Sequence, residues 1–215
     1  MNKLLIATRN PGKLLEIANF LSDLPIKTVS LSDLGIKENV EETGKTYREN
    51  SVKKAKFYAK LSGLPTISDD GGIEIDALGG APGIRSRRFF APRSGVSLRE
   101  SNEATDEEII EAMTMLINNT PVDKRGAQFK DVVTFCLPNG QCFSRSGSVY
   151  GILKSQVFPR RLKGYPYRSF FYLPKIQKYY HEDDLSEKEQ KRYNHRYKAI
   201  QKLIPVIKRL VVMGL

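Results

Sequence analysis

The chain has 215 residues, with 35 Lys and Arg against 24 Asp and Glu, two His, two Cys and no Trp. That length suits one large domain or two small lobes around a real core, and 40% apolar with 27% charged residues excludes wholesale disorder and collagen-like structure. Two cysteines are too few for a disulfide framework or a Cys-rich zinc module, which points to reducing cytoplasm and to structural thiols. No apolar run approaches the roughly 18 residues of a membrane span. The run Leu4-Leu5-Ile6-Ala7 is too short for the apolar part of a signal peptide. Charge is uneven: residues 1–123 carry 16 basic and 18 acidic side chains, and residues 124–215 carry 19 basic and 6 acidic, a net of +13. A basic half of this kind fits a nucleic-acid surface, a pocket for a polyanionic small molecule or a solvated face.

Residues 3–8 form a continuous apolar run, as a buried strand does. Arg9-Asn10-Pro11-Gly12 is turn chemistry, and Leu14, Leu15, Ile17, Ala18 and Leu21 follow at helical spacing. A second strand is predicted over 26–31. A helix is predicted over 46–61, with Thr46 and Glu49 at capping-box spacing. Residues 65–68 read as a short strand ending at Asp69-Asp70-Gly71-Gly72, and the alternation of Ile73-Glu74-Ile75-Asp76 reads as another. Thr105 and Glu108 open a helix over 105–118. Pro138-Asn139-Gly140 between two apolar runs is a hairpin signal. Residues 158–180 are irregular, basic and aromatic, with a short strand near 169–173. A helical segment over 186–212 is bent or interrupted near Pro205. The class is α/β with an antiparallel component.

Several groups of residues carry candidate chemistry. The loop Thr8 to Lys13 ahead of a helix offers backbone N–H groups, side-chain donors and one full charge to an anion, though it lacks Walker spacing. Glu41 and Asp69-Asp70 supply hard oxygen ligands of the kind Mg²⁺ takes, while Asp-Asp-Gly-Gly equally suits a tight turn. Of Lys53, Lys54 and Lys56, helical spacing lets one or two face a single site. Asn194-His195-Arg196 suits a base edge or a phosphate. The aromatics of 158–180 interleave with Arg and Lys, which serves RNA or a nucleotide as readily as a strand with a wet face.

The order of these motifs resembles the inosine triphosphate pyrophosphatase family, which acts on non-canonical purine nucleoside triphosphates. The likeness rests on Thr8-x-Asn10-x-Gly12-Lys13, Glu41-Glu42-Thr43-Gly44-x-Thr46-Tyr47-x-Glu49-Asn50, Lys54-Ala55, Asp69-Asp70-Gly71-Gly72 and Gly79 to Ile84. It continues through Ser86-x-Arg88-Phe89, Ala127-x-Phe129, Gly147 to Ile152 and His195-Arg196, nearly the whole chain. The resemblance implies an elongated two-lobed α/β fold, residues 1–215 as one domain, with a central mixed sheet flanked by helices, a cleft between the lobes and a homodimer. It implies Mg²⁺-dependent hydrolysis of a nucleoside triphosphate to monophosphate and pyrophosphate. Thr8, Asn10, Lys13 and Lys54 would contact phosphates, Glu41 and Asp70 would hold Mg²⁺, and Asp70 would accept the proton. Gly71, Arg88, Tyr165, Tyr167, Arg168, Lys191, His195 and Arg196 complete the substrate set.

The sequence departs from the family pattern where the base is read. Gly71 stands for a usual Ser, and Tyr165-Pro166-Tyr167-Arg168-Ser169 for Phe-Gly-Tyr/Trp-Asp-Pro, so an acceptor becomes the Arg168 donor. Gln190, beside Lys191, stands for a usual Lys. An acceptor-to-donor exchange is not conservative in a dry pocket, and it predicts a shifted base preference. The alternative function is a catalytically altered nucleotide- or nucleic-acid-binding protein on the same scaffold, with salt-sensitive binding and no turnover.

Overall fold

The first apolar run forms β1 (Asn2–Ile6), and its side chains alternate between two buried layers in the computed structural model, which describes residues 2–90 and 103–212. Leu4 and Ile6 enter a core with Ile17, Leu21, Ile67, Phe135 and Ile200, whereas Leu5 and Ala7 pack with Val29, Leu31 and Tyr58. A strand covered on both sides has no polar face, hence the unbroken run. Helix α1 (Pro11–Phe20) starts on Pro11, whose missing N–H costs nothing there, and is capped by Asn10. Strand β2 (Ile26–Ser30) follows. Helix α2 (Tyr47–Ser62) is capped by the Thr46 hydroxyl, while the Glu49 carboxylate accepts from Lys45 N–H, one residue away from capping-box geometry.

Strand β3 (Thr66–Ile75) corrects the sequence reading of two strands separated by a turn, because it runs through Asp69-Asp70-Gly71-Gly72 without a break. Gly71 makes that possible. A Cβ there would lie 2.6 Å from the Lys130 carbonyl oxygen and 2.9 Å from Asp131 Cα, so only glycine lets these strands approach so closely. Helix α3 (Asp106–Asn118) opens with the complete Thr105–Glu108 capping box. Strands β4 (Gly126–Cys136) and β5 (Cys142–Leu153) flank the expected hairpin turn, with Gly140 at φ 90°. Short strands β6 (Phe171–Leu173) and β7 (Lys178–Tyr179) follow, and then helices α4 (Glu187–Tyr193), α5 (His195–Gln201) and α6 (Ile204–Ile207).

Among the described residues the sheet order is β2-β1-β3-β4-β5-β6-β7. Strand β1 pairs in parallel with β2 (Leu4 opposite Thr28) and with β3 (Leu5 opposite Thr66), and β6 pairs antiparallel with β5 and β7. The α/β class with a mixed sheet agrees with the sequence reading. The chain divides into one compact unit of Met1–Gly71, Lys130–Ser148 and Arg192–Leu215, and another of Gly72–Phe129 and Val149–Lys191. The first contains both apolar layers around β1. The second is built on the rings of Phe129, Phe171 and Tyr180, with Ile109, Met113 and Ile117 of α3 also buried.

Two further expectations change. The C-terminal helix is interrupted near Pro205, which sits in the first turn of α6, as expected, but it is also broken at Asn194, which leaves the helical conformation and caps α5 with a side chain that accepts from Tyr197 N–H. The cysteines are not free thiols. The hairpin sets Cys136 and Cys142 opposite one another, Cα atoms 4.1 Å apart, and they are joined as a disulfide against Ala55 and Ala59 of α2. No helix among the described residues is long and apolar enough to cross a membrane.

Candidate active site

Successive residues of a strand point to opposite faces, so β3 sends its adjacent carboxylates to two different environments. Asp70 faces α2. Asn50 Nδ2 donates to its Oδ2 at 3.0 Å, and Lys54, one turn further along the same helix face, pairs with Glu42. Burial pushes Asp70 up to about 6; Lys54 opposes that shift and the charge of Glu42 adds to it. The result is a carboxyl poised to exchange a proton near neutral pH.

Asp69 faces α1 and α5. Its Oδ2 lies 2.8 Å from Lys13 Nζ and 3.1 Å from both Nε and Nη2 of Arg196. Burial alone would raise its pKa, but Lys13 and Arg196 together hold Asp69 well below the usual carboxylate range. Burial is the largest influence on Lys13 and opposes its charge, but the charge and hydrogen bond of Asp69 together with the charge of Asp131 outweigh it, so the ammonium is kept protonated. Arg196 also meets Glu16, and its Nε is 2.9 Å from Asp131 Oδ2. Asn194 supports this arrangement twice: it caps α5 and donates to Glu16 Oε1 at 3.1 Å.

The structure brings together Lys13, Lys54, Asp69, Asp70 and Arg196, and revises several expected roles. Asn10 Oδ1 accepts from the N–H groups of Gly12 and Lys13, so the two donors expected to meet an anion are already capped. Thr8 Oγ1 accepts from Asn10 N–H at 3.2 Å. Glu41 is exposed, whereas its neighbour Glu42 is the half-buried partner of Lys54. Lys53 turns to Thr43 Oγ1 instead. Arg196, expected to meet a base or a phosphate, is buried among three carboxylates, and His195 beside it is buried too.

In the other unit Arg168 is buried, its guanidinium 4.0 Å from the Tyr165 ring and 5.0 Å from that of Tyr180. Cation–π stacking accounts for an arginine in that position. Tyr167 is buried and its hydroxyl donates to the Ser86 carbonyl. Arg88 is exposed, and Lys191 bridges Glu187 at 2.8 Å on the surface of α4.

Sequence reasoning missed Glu16, Glu42, Asn50 and Asp131. A signal existed for Asp131, since it breaks the apolar series Ala127, Phe129, Val133 and Phe135 on one face of β4. Among the described residues no three His, Cys, Asp or Glu side chains are arranged to hold a metal alone. Glu42 and Asp70, which interact electrostatically beside Lys54, are nonetheless a hard oxygen set that fits Mg²⁺. That ion takes one or two carboxylates and completes its shell with water and substrate phosphates.

Comparison with known proteins bears on the family and the fold. A model of the Ham1 family matches residues 4–206. The chain is 36% identical over 212 residues to a dITP/XTP pyrophosphatase of Yersinia pestis, covering 97% of this chain and 99% of that one. It is 36% identical over 173 residues to a dITP/XTP pyrophosphatase of Geobacter sulfurreducens, covering 80% and 81%. Its fold is similar to that of a HAM1 protein from Coxiella burnetii, with a TM-score of 0.77, 30% identity and coverage of 97% and 100%. The Staphylococcus aureus Ham1 protein gives a TM-score of 0.75 at 30% identity, covering 96% and 98%.

Proposed function

The chain belongs to the Ham1 family, and from that premise we propose that it is a nucleoside triphosphate pyrophosphatase acting on deaminated purine nucleotides such as dITP and XTP. The observation that carries the reading is the split between the two adjacent carboxylates: Asp69 is locked as an anion and Asp70 is raised to about 6. Environments that drive two like groups apart assign them different jobs. Asp70 accepts a proton from the attacking water. Lys13 and Lys54 hold the phosphate chain, and Asp69 keeps Lys13 charged and in place. Water adds to phosphorus as the bond to the leaving pyrophosphate breaks, giving monophosphate and pyrophosphate. Glu42 and Asp70 are the side chains that would hold Mg²⁺, which when bound offsets the charge gathering on the departing group.

We place the enzyme in the cytoplasm, a reducing compartment in which the disulfide of the β4–β5 hairpin would be open, and we take it as the homodimer that the resemblance implies. The test is pyrophosphate release with Mg²⁺ across ITP, dITP, XTP and the standard nucleotides, with Asp70→Asn alongside. Turnover of the deaminated purines that is lost in the variant is the expected result. Silence across the panel, or equal turnover by the variant, sinks the reading. A preference for some other base would show that Arg168 has shifted selection.

A further inference from the structure

Asp131 is 0% exposed on β4, and the reaction above gives it no task. Its Oδ2 is 2.9 Å from Arg196 Nε, but that N–H is directed at Asp69. Neither carboxylate oxygen of Asp131 therefore has a hydrogen-bond donor among the described residues. Its Oδ1 occupies the space that glycine leaves at position 71, where a Cβ would stand 2.7 Å from it. A buried carboxylate held by charge alone costs stability, and an apolar or amide side chain of similar volume would fill the space at lower cost.

The charge it adds has a direction. Lys13 and Arg196 bring two positive charges to this face of β3 and Asp69 and Glu16 bring two negative ones, while Asp131, which burial first and Asp69 second push up to about 7, brings a third as it ionises above neutral pH. Without Asp131 the cluster is balanced. With it, Arg196 is shared, Asp69 stays committed to Lys13, and the field of Asp131 reaches Lys13 as well. We propose that Asp131 is a positioning residue that, through Arg196 and Asp69, weakens the hold of Lys13 on a polyphosphate chain and so eases departure of pyrophosphate. The inference rests on reading this site as one that takes phosphates.

The test is calorimetric titration of inorganic pyrophosphate with Mg²⁺ at about pH 8.5, where Asp131 is ionised, into wild type, Asp131→Asn, Lys13→Met and the double variant, with melting temperatures measured in parallel. Removing one like charge from so dry a site is expected to tighten pyrophosphate binding about tenfold in Asp131→Asn. The effect should vanish once Lys13 is Met, because neighbours joined through one network are not additive. Asp131→Ala should tighten binding in the same sense. A structural role predicts the reverse, weaker binding with a lower melting temperature. That result, unchanged affinity, additive effects or a wild type that binds no pyrophosphate overturns the inference. Hydrolysis is read separately: an inactive wild type that still shows the coupling overturns the proposed function alone, and an active one without coupling overturns the inference alone.

Discussion

The two faces of β3 carry the same residue type at adjacent positions, yet they do opposite things. On one, Asp69 lies between Lys13 and Arg196 and keeps its charge well below the usual carboxylate range. On the other, Asp70 has Asn50 and a Lys54 that Glu42 already occupies, so burial prevails and the carboxyl titrates near 6. A pleated strand thus builds two chemistries from one dipeptide, because its period of two sorts neighbours into separate environments. In the proposed reaction Asp69 supports a phosphate-binding cation and Asp70 is the reactive group.

Substituting each aspartate in turn is the most forceful way to break this contrast. Asp70→Asn keeps the shape and the Asn50 contact but removes the base and the cost of burying its charge, so kcat should fall about 10³-fold while the melting temperature at neutral pH holds or rises. Asp69→Asn should do its damage through the fold. It removes the one carboxylate that both Lys13 and the buried Arg196 contact, a loss on the order of 3 kcal/mol in denaturant unfolding. If Asp69→Asn were stable and Asp70→Asn unfolded, the two assignments would be reversed.

Sharpening the Asp70 side requires a choice between two adjacent glutamates. Glu42→Gln should weaken Mg²⁺ binding by about tenfold or more. Glu41→Gln, at an exposed position, should change it less than about twofold. Activity titrated against Mg²⁺ checks both, and an effect confined to Glu41 would restore the assignment drawn from sequence alone.

That choice shows where legibility ended. Motif order gave the family, the α/β class and the residues Lys13, Lys54, Asp69 and Asp70, because these lie on elements with a clear period or at their caps. Glu41 and Glu42 lie in a loop with no period, and only the path of that loop decides which one reaches Lys54. The strand through Gly71 was hidden for a related reason: Asp-Asp-Gly-Gly has turn composition, and pairing with β4 overrides it. Arg196 was read as a ligand group because its carboxylate partner Asp69 is 127 residues away in sequence. The net charge of the second half left three readings open for the same reason, since sequence does not say which of its side chains are engaged within the fold. Lys178 pairs with Glu189, Arg160 with Asp183 and Lys191 with Glu187, and Lys198 and Lys202 donate to the carbonyls of Ser148 and Ser146.

Acidity separates the two faces most gently. The folded pKa of Asp70, about 6, lies above its ordinary value of 3.8, so folding favours its protonated form. Its contribution to stability is therefore complete below the ordinary carboxylate value and is lost as pH rises through about 6, about 3 kcal/mol in all. Activity runs the other way, because the base must be ionised: kcat/KM should drop about tenfold per unit below pH 6 and level off above it. Asp69, held below its ordinary value, contributes stability above that value and loses it only in stronger acid. In metal-free buffer, wild type should thus gain melting temperature between pH 7.5 and 5 relative to Asp70→Asn, which lacks that carboxyl and shares with wild type the titration of Asp131 near 7. Mg²⁺ should shrink that difference by competing with the proton for the same carboxylate. Parallel melting curves for the two proteins across this range would remove Asp70 from its role.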